Sequence, residues 1–87
     1  MRIIWDEPKR RANLLKHNMD FADLTPAYFE TAVIRPARDG RLFAFGRFAD
    51  GTIAVVFGVL GHEAISVISM RPASGTERKL YEQAKGI

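Results

Sequence analysis

The stretch Ile68–Glu82, ISMRPASGTERKLYE, carries the end of an apolar strand through a tight turn into a charged helix. Ser74 and Glu77 have the spacing of a capping box, so we predict a helix that begins near Ser74. Arg71 stands at the end of the strand, and Glu77 and Tyr81 follow one and two turns into the helix. The pattern predicts either a salt bridge that closes a small core or an anion site around Arg71, and leaves both open.

Upstream of this stretch, strand-forming runs alternate with turn signals. The pairs Asp39-Gly40, Asp50-Gly51 and Gly61-His62 suit tight hairpin turns, which join consecutive strands into an antiparallel meander. The predicted strands are Ala32–Pro36, Arg41–Ala49, Thr52–Leu60 and Ala64–Met70. The third of these is apolar on both faces and is predicted to be central.

The N-terminal part predicts one further strand and two helices. Arg2–Trp5 suits an edge strand, and Asp6 before an acid and a proline is typical of a helix start. The first helix is predicted to end at His17, and the second to cover residues 20–29 with a break at Thr25-Pro26. The whole order is β-α-α-β-β-β-β-α, which defines an α+β fold with two N-terminal helices and one C-terminal helix.

The helices divide into faces that differ in chemistry. On the first helix, helical spacing predicts that Ala12 and Leu15 pack inward together with Met19. The opposite face carries the polar residues Lys9, Asn13, Lys16 and His17. On the last helix, the residues predicted to be buried are Leu80, Tyr81 and Ala84.

A cationic group is predicted to assemble on one side of the sheet. Arg47 and Arg71 are each predicted to end a central strand, on neighbouring strands, close to the polar face of the first helix. Arginine offers a fork of donors that suits phosphate. The ordinary alternative is that Lys16 and His17 form a solvated helix end, while Arg71 pairs with Glu77.

Composition limits the class of protein. The 87 residues suit one domain, residues 1–87, and the absence of cysteine excludes disulfides and thiolate zinc sites. No apolar run approaches the roughly 20 residues of a membrane span, so we expect a chain that avoids membranes. The net charge of +3 and a pI near 9.7 permit a polyanionic partner.

Common enzyme motifs are missing from the sequence. There is no phosphate-binding glycine loop, no His-Glu-x-x-His pair and no serine nucleophile elbow. The chain has two histidines, His17 and His62, and we expect His62 to be solvated in a hairpin turn. We therefore predict neither a metal site nor a cofactor.

Three blocks, in order, resemble toxins of the BrnT family. The first is WDEPKRRANLLKHNMDF (Trp5–Phe21), the second is FAFGR (Phe43–Arg47), and the third is the opening stretch. The resemblance implies a fold like RelE and a metal-independent ribonuclease that inhibits translation as the toxin of a type II toxin–antitoxin pair. It also implies a cytoplasmic BrnA-like antitoxin as partner, with operator DNA bound only through the toxin–antitoxin complex.

The resemblance also implies an active surface, with roles that remain hypotheses. Arg47 and Arg71 would stabilise charge on the phosphate, and Lys9, Lys16 or His17 would transfer protons, because imidazole titrates near neutral pH. Positioning or structural roles fall to Glu77, Tyr81 and Asn13. Trp5 would either stack on an RNA base or lie buried.

Two departures from the family pattern leave a second function open. Asn18 stands where the family commonly has glycine, a mild change because asparagine tolerates positive φ. The segment Pro72–Gly75 is less basic than in many members. The alternative to a ribonuclease is a non-catalytic module of the same fold that binds an antitoxin or nucleic acid.

Overall fold

Five strands and three helices build the protein, and the computed structural model describes residues 1–87 throughout. The strands are β1 (Arg2–Trp5), β2 (Val33–Pro36), β3 (Leu42–Phe48), β4 (Gly51–Leu60) and β5 (Ala64–Pro72). The helices are α1 (Glu7–His17), α2 (Pro26–Thr31) and α3 (Gly75–Lys85). Along the chain the order is β1, α1, α2, β2, β3, β4, β5, α3, with short 3-10 turns at Phe21–Asp23 and Arg38–Gly40. The α+β class is confirmed.

Three helix ends follow the local chemistry that the sequence predicts, whereas Asp6, which precedes α1, accepts no side-chain capping hydrogen bond. Asn18 ends α1 in the left-handed region with φ 55°, and the Thr25 side chain caps α2. At α3 the capping box is complete, since Ser74 Oγ accepts from the Glu77 N–H and the Glu77 carboxylate accepts from the Ser74 N–H. These three predicted helix ends are confirmed.

The sheet has the order β1-β5-β4-β3-β2. Strands β2 to β5 form the predicted antiparallel meander, but β1 lies parallel to β5, with Ile3 opposite Ile65. The predicted edge position of Arg2–Trp5 is therefore confirmed, while its parallel direction was not predicted. The chain leaves β1 through α1 and α2 and returns by the far edge, and such a long crossover permits a parallel pair.

One predicted hairpin turn is displaced by a residue. Gly51 belongs to β4, where it pairs with Phe48, so Ala49 and Asp50 form the loop. The positive φ that such a turn usually places on glycine falls on Ala49, at 55°. The pairing of β3 with β4 thus overrides the local preference of the Asp-Gly pair.

The two faces of the sheet are covered unequally. Helix α2 and the segment that precedes it cover one face, here called the closed face, over a core of ten buried residues that includes Phe21, Val67 and Met70, while α1 lies against β5. Helix α3 covers part of the other face, here called the open face, where Val33, Phe45, Ala54 and Tyr81 form a cluster of four. Ala84 is exposed, which corrects its predicted burial, because α3 lies over only one end of this face.

A close contact on the closed face explains the glycine of β3. A Cβ at Gly46 would lie 2.8 Å from Cε1 of Tyr28, so only glycine leaves room for that ring. The Tyr28 hydroxyl donates to the carbonyl of Ala44 at 2.8 Å, and burial raises the pKa of this phenol. Gly46 therefore has a packing role in the FAFGR block.

The predicted packing face of α1 is wrong. Leu15 is 89% exposed and Ala12 is also exposed, whereas Asn13 is only 7% exposed. Leu14 and His17 lie half-buried on the same side as Asn13. The polar side of α1 packs because the adjacent sheet edge offers backbone groups, not apolar side chains, for it to meet.

Candidate functional site

The second half of β5 has no neighbouring strand on one side. β1 pairs with β5 only from Arg2 opposite Ala64 to Trp5 opposite Val67. Past that point Asn13 of α1 takes the place of a strand. Its Nδ2 donates to the Met70 carbonyl at 2.9 Å, and its Oδ1 accepts from the Met70 N–H at 3.0 Å. The side-chain amide thus satisfies the sheet edge as a peptide group would.

A third bond anchors the same amide to the chain after α1. Asn13 Nδ2 also donates to the Met19 carbonyl at 3.0 Å. The buried amide therefore joins α1, the loop after it and β5, and the positioning role of Asn13 in an active surface stays a prediction. It holds the rest of the α1 face at a set distance from the β5 edge.

A cleft of about 280 Å³ lies between α1 and this edge. The predicted polar residues of α1 meet here, because spacings of three, four and seven place them along one side of the helix. The lining residues are Lys9, Ala12, Asn13, Lys16, His17, Ile68 and Ser69. The cleft therefore combines two ammonium groups, an imidazole and an amide.

The sequence did not predict that Ile68 and Ser69 line the cleft. In the β4–β5 ladder Val56 pairs with Ser69 and the next residue of β4 pairs with Val67, so Ile68 is the extra residue of a bulge. The bulge lets Val67 and Met70, three positions apart, both face the closed core. The position of such a bulge depends on the pairing register of β4 with β5, and no local residue type predicts it.

Arg71 is held by Glu77 in a two-point contact. Nη1 lies 2.7 Å from Oε1, and Nη2 lies 2.9 Å from Oε2. Nη1 also donates to the Pro72 carbonyl at 3.2 Å, and the guanidinium carbon is 6.0 Å from the centre of the Phe43 ring. The predicted salt bridge between Arg71 and Glu77 is confirmed.

The charge states of this pair are mutually stabilised. The hydrogen bonds from Arg71, assisted by the Ser74 N–H, lower the pKa of Glu77 to about 2. The same carboxylate raises the pKa of Arg71. Both groups therefore stay ionised across the physiological range.

Arg47 lies farther from Arg71 than the sequence predicted. It is exposed at the end of β3, opposite Thr52, while Arg71 stands opposite Ala54. β4 separates their strands, so the prediction that Arg47 and Arg71 end neighbouring strands is wrong. Both still belong to the open face, two strand spacings apart, or about 10 Å across the sheet.

The two aromatic candidates have packing roles. Tyr81 is buried with Val33, Phe45 and Ala54, so its ring fixes α3 to the open face. The Trp5 ring meets Phe21 edge-on at 6.4 Å.

The indole N–H of Trp5 donates to Glu7 at 3.1 Å. Glu7 also binds Arg10, whose guanidinium reaches Asp20 at 3.1 Å. Bonds from Arg10 and Trp5 lower the pKa of Glu7 to about 2. This network joins the start of α1 to the loop before α2, and the sequence did not predict it.

No group of three or more His, Cys, Asp or Glu side chains is arranged to hold a metal ion. None of the helices combines the length and the apolar character that crossing a bilayer requires.

The fold and the site together define a small basic α+β protein with two cationic surfaces. One is the cleft beside α1, the other is the part of the open face that carries Arg71, and they meet at the edge of β5. The family model described as "Ribonuclease toxin, BrnT, of type II toxin-antitoxin system" matches residues 5–77. The chain belongs to this family, which confirms the resemblance. Family membership implies a protein antitoxin as partner and RNA as substrate.

A solved structure agrees with the family model. The chain is 53% identical to the ribonuclease toxin BrnT of Brucella abortus, whose crystal structure it matches with a TM-score of 0.80. The match covers 85% of this chain and 97% of the Brucella chain. Among curated proteins there is no match.

Proposed function

We propose that this toxin cleaves single-stranded RNA without a metal ion at the free edge of β5. The observation that carries the proposal is the position of Arg71, which Glu77 holds in place two residues along β5 from the cleft. This chemistry needs a positioned arginine and groups that can transfer protons, and the cleft provides the second.

The reaction uses the RNA as its own nucleophile. The 2′-oxygen attacks the adjacent phosphorus and loses its proton to a base, while the bond from phosphorus to the 5′-oxygen breaks. The departing 5′-oxygen takes a proton from an acid, so the products are a 2′,3′-cyclic phosphate and a 5′-hydroxyl end. The protein need only supply the base, the acid and positive charge for the transition state.

Arg71 retains the donors that this role requires. Of its five N–H groups, one on each Nη binds Glu77 and a second on Nη1 binds Pro72. The Nε–H and one Nη2 N–H remain, and they lie side by side on one edge of the guanidinium. Such an edge matches two oxygens of a phosphate, so the salt bridge and the phosphate site are compatible.

The cleft supplies the candidates for proton transfer. His17 and the two lysines share it, and imidazole is the group best suited to donate or accept a proton near neutral pH. Lys9 and Lys16 would add charge or serve in its place. Arg47 would contact a phosphate farther along the RNA. Tyr81 would act indirectly, by holding α3 against the sheet. Trp5 is assigned to the core and has no RNA contact in this proposal.

The finer features of the biological role belong to the same proposal. They are a RelE-like fold, inhibition of translation, and action in the cytoplasm. We also propose a BrnA-like antitoxin that neutralises this chain and carries the contact with operator DNA. Family membership supports these assignments by analogy.

The test compares purified full-length chain with an Arg71→Lys variant. The wild-type chain should cleave RNA in the presence of EDTA and leave cyclic phosphate and 5′-hydroxyl ends. Lysine keeps the charge but loses the fork, so cleavage should fall by about a hundredfold. Arg78→Lys on the exposed side of α3 is the matched control and should cleave like the wild type.

Two outcomes contradict parts of the proposal. Unchanged cleavage by a folded Arg71→Lys variant would remove Arg71 from the site, and activity that EDTA abolishes would remove metal independence. A chain that binds an antitoxin but cleaves no RNA, in vitro or when induced alone, would establish the non-catalytic alternative.

A further inference from the structure

A second groove opens on the part of the open face that α3 leaves uncovered. It has a volume of about 350 Å³ and lies between the β2–β3 turn and the middle of β4. Its lining residues are Ala37, Arg38, Arg41, Phe43 and Val56. None of them lines the cleft beside α1, so the groove and the cleft have different lining residues.

The groove combines an aromatic floor with a cationic rim. The half-buried Phe43 ring stacks on Phe45, with centroids 5.1 Å apart and planes at 19°. Arg38 and Arg41 are exposed at the rim, and neither takes part in the three ion pairs of the protein. Asp39 contributes one carboxylate to the same turn, which leaves the rim positive.

The groove is continuous with the proposed cleavage site. Phe43 pairs with Val56, and Val56 pairs with Ser69, which lines the α1 cleft. This row crosses two strand spacings, about 10 Å. Arg71 stands beside the row, with its guanidinium 6.0 Å from the centre of the Phe43 ring.

We propose that this groove binds a nucleotide next to the cleaved phosphate, with its base stacked on Phe43 and its phosphates bound by Arg38 and Arg41. The inference rests on the proposed ribonuclease function and adds a subsite to it. An aromatic face between cations is the surface that single-stranded nucleic acid prefers, because bases stack on the ring while arginines meet the backbone. An apolar protein segment would not need the two arginines.

The test measures binding separately from cleavage. The probe is a fluorescein-labelled single-stranded 2′-O-methyl RNA of about ten nucleotides, which lacks the free 2′-hydroxyl needed for cleavage. Phe43→Leu keeps an apolar side chain but removes the aromatic face, so affinity should fall at least about fivefold with an unchanged salt dependence. Its urea unfolding curve verifies that it is folded.

Removing Arg38 and Arg41 should change the salt dependence of RNA binding. Arg38→Gln with Arg41→Gln should reduce the slope of log affinity against log salt by about 1.4, since each phosphate contact contributes about 0.7 on single strands. The matched control, Arg78→Gln with Lys85→Gln, removes the same charge from the exposed side of α3 and should leave the slope nearly unchanged.

The outcomes separate this subsite from the ribonuclease function. If the wild type cleaves RNA but Phe43→Leu binds the probe like the wild type, the subsite is wrong and the ribonuclease stands. If the groove variants lose affinity for the antitoxin but not for the probe, the groove is a protein-docking surface. If the wild type neither binds nor cleaves RNA, both proposals fail together.

Discussion

The closed and open faces of the sheet have the same strands but different chemistry. On the closed face, α2 and the segment before it cover a core of ten buried residues, and Arg10 and Asp20 beside it are paired with each other. On the open face, α3 covers a cluster of four, and the arginines beside it retain free donors. Because α3 covers only part of the open face, Arg71 keeps free donors there, and Arg38 and Arg41 stay exposed.

The edge of β5 connects the two faces of the sheet through hydrogen bonds to α1 and α3. Asn13 of α1 bonds to the backbone of Met70, whose side chain lies in the closed core. The next residue, Arg71, points to the open face and meets Glu77 of α3. Consecutive residues of one strand therefore join α1, whose side chains line the cleft, to the open face, where Arg71 lies.

The largest effect should come from truncating the closed core. Phe21 is fully buried, so Phe21→Ala should lower the free energy of unfolding by about 3–5 kcal/mol in urea denaturation. Phe43→Ala on the open face should cost less than about 2 kcal/mol, because only part of that ring is removed from water on folding. Equal losses would show that the two faces contribute alike to stability.

A smaller loss of stability is expected at the edge between the faces. Asn13→Ala leaves the Met70 N–H and carbonyl without their partner in a buried place, which should cost about 2–3 kcal/mol by urea denaturation. Leu15→Ala, on the exposed side of the same helix, should change stability by less than about 0.5 kcal/mol. A larger effect for Leu15 would reverse the packed face of α1 described here.

The smallest expected effect is the loss of folding stability at acidic pH. Glu77 has a pKa of about 2 in the folded protein against 4.5 as a free side chain, so the unfolded chain binds more protons between these values. The stabilisation is complete above pH 4.5 and is lost as the pH falls toward 2. Solvent screening keeps it below about 1 kcal/mol. Glu77→Gln, which preserves the capping box, should flatten this part of the stability curve.

A matched variant separates the acid effect from function. Glu7, beside Arg10, has its pKa lowered to about 2 as well, so Glu7→Gln should flatten the same pH range. Only Glu77→Gln should also slow RNA cleavage at neutral pH, since only Glu77 orients Arg71. Equal rates of RNA cleavage by the two variants would contradict the positioning role proposed for Glu77.

Much of the secondary structure could be predicted because its causes are local. The capping box at Ser74, the left-handed end of α1 at Asn18 and the break at Thr25 each depend on a few neighbouring residues. The pairing of Arg71 with Glu77 was also predictable, because a strand end and a capped helix six residues later bring them together. Membership of the family rested on sequence blocks.

Other features could not be predicted because they depend on contacts between distant parts of the chain. Periodicity favoured burial of Leu15, yet a sheet edge without a partner strand selected the amide of Asn13 instead. The position of β4 between Arg47 and Arg71 follows from strand order. The bulge at Ile68 follows from register.

The sequence by itself determined the α+β class, the capped helices, the family and the polar residues that could carry chemistry. Only the tertiary structure decided which of them meet. Lys9, Lys16 and His17 share a cleft, while Arg71 reaches the other face of the sheet. The physical reason is that caps and turns form within a few residues, whereas strand order, register and the covering of a sheet minimise the free energy of the whole chain.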